Sequence, residues 1–175
     1  MFHRLRFGIV GLILLAASAG GQTLDEYQVK AAFLVKFASF VEWPPAAFKG
    51  PADPLTICVM GRSPFGHQIE SLVEGKFVDG RAFALRTVAD ARDAIACHIL
   101  FISSSEHLRF RSILDTLKST SVLPVGDTND FIAEGGVINL RRENGKVRIE
   151  IDARAAKAKN LRISSRLLDL AQGPR

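Results

Sequence analysis

Two short apolar runs, Leu55-Thr56-Ile57-Cys58-Val59-Met60 and Cys97-His98-Ile99-Leu100-Phe101-Ile102, do most to restrict what this chain can fold into. Each has strand length, each ends in glycine or serine, and neither alternates with polar residues. Both therefore read as strands covered on two faces, as in a parallel sheet between helices. Residues 137–141 and 146–151 oppose each other across Glu143-Asn144-Gly145, and Asn-Gly is a strong hairpin turn. Strands alternating with helices, followed by one hairpin, predict an α/β fold: a three-layer αβα sandwich, mainly parallel, with a C-terminal antiparallel hairpin. In the common 2-1-3-4-5 strand order the two cysteine-bearing runs are neighbours.

The N-terminus bears on the compartment. His3, Arg4 and Arg6 precede an apolar run from Phe7 to Ala17, and Ala17-Ser18-Ala19 has the A-x-A cleavage form. A membrane-spanning helix needs roughly 17 to 25 apolar residues, more than this run offers. Residues 1–19 thus read as a secretory signal peptide cleaved near Ala19, and residues 20–175 as a single exported α/β domain. In an oxidising compartment an even cysteine count favours a Cys58–Cys97 disulfide. Closing that loop is worth about 4 kcal/mol in the chain-entropy model. A catalytic Cys97 with His98 as base is disfavoured, because adjacent strand residues point to opposite faces.

The formal charge is +5, and it is uneven: residues 141–175 carry ten Lys or Arg against four Asp or Glu. An exported chain does not meet chromosomal DNA, and no aromatics are interleaved with the basic residues to stack on bases. No nucleic-acid partner is expected. The basic residues read as solvated faces, or as a patch for an acidic partner or anionic surface.

Residues 25–41 read as a helix with Asp25 and Glu26 in its first turn, stopped by Trp43-Pro44-Pro45. Its apolar residues cover more than one face, broken only by Lys30, Lys36 and Ser39. It is either sandwiched in the core or lies in a dimer or partner groove, so a homodimer stays open. Ser63 with Pro64 has the form of a helix N-cap and first helical residue, and Ser103 with Glu106 has capping-box spacing. A short helix is expected over residues 89–96, and further helices over 152–159 and 164–171. Where a receiver domain would carry its phosphoacceptor aspartate, after the Cys97 strand, this chain has serine.

The segment Tyr27-Gln28-Val29-Lys30-Ala31-Ala32-Phe33-Leu34-Val35-Lys36-Phe37, with Phe40 and Trp43-Pro44, resembles the opening of the YfiR family of small periplasmic regulators. Further pieces agree in order: Leu55-Thr56-Ile57-Cys58 with Gly61 and Pro64-Phe65-Gly66; Cys97 to Ser103; Phe131 with Gly135-Gly136-Val137-Ile138-Asn139; and Leu161-Arg162-Ile163-Ser164-Ser165-Arg166-Leu167-Leu168. The resemblance implies an α/β sandwich that restrains an inner-membrane diguanylate cyclase through its periplasmic part, lowering cyclic-di-GMP and biofilm formation. It also implies a releasing protein associated with the outer membrane. Some members carry a second cysteine pair near the late hairpin, which this chain lacks, and Asp152 stands where an Asn is usual.

No catalytic residues and no cofactor are expected. His67, His98 and His107 do not form metal-ligand spacing with the cysteines, so no metal site is expected either. Aromatic anchors dominate binding hot spots, which makes Phe33, Phe37, Phe40 and Trp43 the candidate partner surface, with Arg141, Arg142, Arg154 and Lys157 as a steering patch. The alternative function is a small-ligand sensor acting through another membrane receptor or kinase, its crevice near residues 61–66 and 103–105.

Overall fold

The computed structural model describes residues 20–172, and the signal-peptide reading of residues 1–19 lies outside the described residues. The first helix, α1 (Gly20–Phe40), starts earlier than expected, so Asp25 and Glu26 fall in its second turn. It gives way to β1 (Val41–Glu42), which pairs antiparallel with β9 (Arg162–Ile163) and is tied to it by a Glu42–Arg162 ion pair.

The main sheet follows from the apolar runs. β2 (Leu55–Met60) lies parallel between β4 (Arg81–Val88) and β5 (Ile99–Ile102). Next to β5 run β6 (Leu123–Gly126) and β7 (Ile138–Glu143), both parallel. β8 (Lys146–Ile151) returns antiparallel along β7, with Asn144 and Gly145 at φ +50° and +76° as the tight hairpin turn requires. The two-residue β3 (Phe77–Val78) pairs antiparallel with β4 at the far edge, so the full order is β3-β4-β2-β5-β6-β7-β8. The expected 2-1-3-4-5 order is present inside it.

Side-chain alternation along β2 and β5 builds two core layers. Ile57, Val59, Ile99 and Phe101 point towards α1, whose Ala31, Leu34 and Phe37 are completely enclosed. The same layer receives Ile69 and Val73 of α2 (Gln68–Val73), Ala156 of α4 (Ala153–Ala158) and Leu167 of α5 (Ser165–Gln172). Cys58, Met60, Leu100 and Ile102 point the other way, onto Phe110, Ile113 and Leu114 of α3 (Phe110–Thr116). Burying each such large apolar side chain contributes about 1.5–3 kcal/mol. Helices on both faces of a mainly parallel sheet are the three layers read from the sequence, and Cys58 is bonded to Cys97, just before β5, with Cα atoms 6.0 Å apart.

Local signals fared unevenly. Asp152 caps α4, its Oδ1 accepting the Arg154 and Ala155 N–H groups at 2.9 Å, a task Asn performs equally well. Ser103 accepts the Ser105 N–H at 3.3 Å and opens a 3-10 turn (Ser104–Arg109) ahead of α3, but Glu106 pairs with Arg109 at 3.0 Å instead of returning the bond. The expected cap at Ser63 is overturned. α2 begins only at Gln68, and Ser63 instead accepts the Phe65 N–H at 3.4 Å within a separate turn that Gly66 closes at φ +54°. Only a 3-10 turn (Asp93–Ala96) forms where a short helix is expected.

Candidate functional site

The candidate aromatic residues do not share one surface. Phe37 is completely buried and belongs to the core, which corrects its expected place at an interface. Its ring stacks on that of Phe33, 6.3 Å away, and Phe33 is half-buried. Phe40 is also half-buried against the core. Trp43 donates its indole N–H to the His98 carbonyl at 3.2 Å.

The basic residues divide as well. Phe33 and Arg142 line a groove of about 540 Å³ between α1 and the β7–β8 hairpin, together with Glu26, Val29, Lys146 and Val147. Trp43 and Lys157 border a different depression, beside the β1–β9 pair. Arg141 pairs with Glu143 and Glu150 at 3.3 and 3.2 Å, whereas Arg154 is exposed on α4.

The crevice expected near residues 61–66 and 103–105 is closed by its own contacts. Gly61, at φ +82°, lies directly against the Ser105 hydroxyl, and the Arg62 N–H donates to Ser105 Oγ at 3.0 Å. Ser63 and Gly66 border instead a cavity of about 190 Å³ between β2, β4 and α2.

His98 fastens a segment that the sequence left unassigned. Its Nδ1 accepts the Thr56 N–H at 3.0 Å, which puts the proton on Nε2, and Nε2 donates to the Ala47 carbonyl at 3.1 Å. Phe48 stacks on the imidazole at 4.3 Å and Trp43 meets it edge-on at 6.1 Å. Burial lowers the pKa of this ring, with the Arg81 charge adding to the effect. Arg81 holds the same segment from its other end, donating to the Gly50 and Asp53 carbonyls and lying 3.8 Å over Phe48.

Lys30, in sequence merely a break in an apolar stripe, is 2% exposed. Its ammonium lies 2.6 Å from Glu26 Oε1 and 3.0 Å from Asp127 Oδ2, and 4.6 Å over the Tyr27 ring. The Tyr27 hydroxyl donates to Asp127 Oδ2 at 2.9 Å. Burial, the Asp127 carboxylate and Glu26 all push the Tyr27 phenol upward.

The end of β6 is shaped to hold Asp127 in place. The Phe131 ring is wedged against Gly126 and Gly136, so closely that a Cβ at either position would collide with it. Asn139 donates to the Thr128 carbonyl at 2.7 Å and to Glu150 Oε2 at 2.8 Å, pinning the loop that follows Asp127. Gly126 and Asp127 stand out in the sequence only as a strand end; their link to α1 spans about a hundred residues and has no local signal.

A family model described as YfiR/HmsC-like matches residues 27–172. The chain belongs to this family. No curated protein matches it. YfiR/HmsC-like proteins are periplasmic regulators of cyclic-di-GMP signalling rather than enzymes. Among the described residues of this YfiR/HmsC-like chain no helix is long and apolar enough to cross a membrane. The motif residues that carry the resemblance meet in two places. Tyr27, Lys30, Phe131, Gly136 and Asn139 gather around the end of β6, and Trp43-Pro44 meets Leu161 and Arg162 beside the small β1–β9 sheet.

Proposed function

We propose that this YfiR/HmsC-like protein is a periplasmic binding protein that restrains an inner-membrane diguanylate cyclase by gripping its periplasmic part. The observation that carries the reading is the groove between α1 and the hairpin. Its floor is apolar, with Val29 40% exposed and Phe33 and Val147 half-buried, and Arg142 and Lys146 stand at its rim. Apolar anchors flanked by Arg142 and Lys146, with Glu26 the single carboxylate in the lining, suit an amphipathic, acidic segment of a partner, the apolar contacts giving affinity and the charges giving orientation and rate.

The test is intracellular cyclic-di-GMP in cells with and without the gene, complemented by the intact protein, by a form lacking residues 2–19, and by Val29→Asp and Lys146→Glu. Deletion should raise cyclic-di-GMP, and only the exported form should reverse the rise. The two exposed-residue variants should fold normally yet fail to reverse it. Unchanged cyclic-di-GMP on deletion would refute the reading, and full reversal by both variants would refute the groove.

A further inference from the structure

A pocket of about 500 Å³ opens at the carboxyl ends of β5 and β6, the side of a parallel α/β sheet where ligands bind as a rule. Tyr27 and Lys30 of α1, Ser104, the loop from Asp127 to Asp130, and Arg141 of β7 form its walls. Asp127 is the informative residue. Its side chain is 4% exposed, and Oδ2 already receives both Lys30 and the Tyr27 hydroxyl. Oδ1 has no hydrogen-bond partner among the described residues, and neither has Thr128 Oγ1 beside it. Arg141 supplies the converse group: its Nε is 3.2 Å from Glu150 Oε1 but not aligned to donate to it. Buried polar atoms are rarely left unpaired in folded proteins, and one acceptor and one donor in the walls of the same pocket point to a ligand that offers both.

Charge narrows the class. Glu26, Asp127 and Asp130 balance Lys30, Arg141 and Arg142 in the lining, three of each sign, so no net field draws in an ion. An ammonium on Asp127 Oδ1 would lie next to the Lys30 ammonium, and an anion near Arg141 would meet Glu150 and Asp127. A hydroxyl group avoids both conflicts. We propose that this pocket binds a neutral polyhydroxylated ligand, a mono- or disaccharide, with one hydroxyl donating to Asp127 Oδ1 and another accepting from Arg141. The assignment goes beyond the binding of a membrane partner and does not depend on it.

The test is a titration of the ¹⁵N-labelled protein, purified from the periplasm, with glucose, galactose, N-acetylglucosamine, maltose and cellobiose, alongside glycine, putrescine and inorganic phosphate. At least one saccharide should give saturable amide shifts confined to residues 26–30, 104–107 and 127–130. Asp127→Asn should weaken its binding about tenfold or more, as expected on losing a charged hydrogen-bond acceptor. Ser104→Trp, which fills the pocket from an exposed position and leaves the buried ion cluster alone, should abolish it. Saccharide shifts that are unsaturable or scattered over the surface would overturn the proposal. So would selective binding of glycine, putrescine or phosphate, or wild-type saccharide affinity in Ser104→Trp.

Discussion

Lys159, at the end of α4, is 6% exposed and donates its ammonium to the Leu117 carbonyl, and no carboxylate pairs with it among the described residues. Burial pushes its pKa down to about 8 from the usual 10.5. At 1.36 kcal/mol per pH unit, keeping the charged form folded at neutral pH costs about 3 kcal/mol. Between those two pKa values the unfolded chain binds more protons than the folded one, so stability rises with pH through that window. Lys159→Met keeps the length of the side chain and removes the charge, at the expense of one hydrogen bond to the Leu117 carbonyl, which keeps the Thr120 N–H and hydroxyl as donors, so the loss costs about 1–2 kcal/mol at most. The variant should therefore be about 1–2 kcal/mol more stable than wild type at pH 7. By pH 10.5 wild-type Lys159 is neutral and still hydrogen-bonded, so the advantage should vanish or reverse. Urea unfolding at both pH values, followed by far-UV circular dichroism, reads the difference, and other groups that titrate at high pH cancel between the two proteins. A Met variant less stable at pH 7, or a difference that does not change with pH, would show that Lys159 is not held against its charge.

Cys58→Ser should lower the unfolding free energy of the oxidised protein by about 4 kcal/mol, read by the same urea curves, and equal stability would mean the cross-link constrains little. His98 has a folded-state pKa below its ordinary 6.5, so the stability gained from the neutral ring is full above about 6.5 and is lost as the pH falls towards the folded value. Melting temperatures from pH 7 to pH 5 should fall in wild type, and His98→Gln, less stable throughout, should show a shallower slope; an unchanged slope would assign the acid sensitivity elsewhere. Gly136→Ala puts a methyl group against both the ring and the carbonyl oxygen of Phe131 and should cost about 1–3 kcal/mol, with Phe131→Leu in the same chain recovering only the part due to the ring; no cost in the single variant would show that ring and backbone both have room to move.

The features that were legible in the sequence are those with a period or a turn code. The Leu55–Met60 and Ile99–Ile102 strands, their adjacency through the cysteine pair, and the Asn144-Gly145 hairpin all rest on patterns a few residues long. The β1–β9 pair was not legible, because a two-residue strand has no alternation to read. Ser63-Pro64 misled for a related reason: its capping chemistry is genuine, but it stabilises a turn, and Gly66 ends that turn before the helix starts. Lys30 was the larger miss. Its i,i+4 spacing from Glu26 is a local hint of an ion pair, yet what brings it inside is Asp127, and that contact is made only when β6 ends beneath α1. Phe37 was placed on the partner surface wrongly because a helix apolar on more than one side does not reveal which side meets the sheet.

Glu26 joins the buried ion cluster to the proposed docking groove. One carboxylate oxygen holds Lys30 at 2.6 Å inside the cluster, and the other faces Arg142 at 3.5 Å on the groove. The two pairs differ in what they resist. Arg142 is 43% exposed, and an ion pair that open to solvent is worth about 0–1 kcal/mol. Breaking the buried pair by removing a partner costs about 3–5 kcal/mol, because the charge left behind has no water to turn to. An acidic partner segment entering the groove can therefore draw Arg142 away from Glu26 while Lys30 keeps its grip, so the rim adapts over an anchored floor. In the proposed docking mode α1 is the rigid platform, held by its buried cation, and the hairpin supplies the adjustable contact.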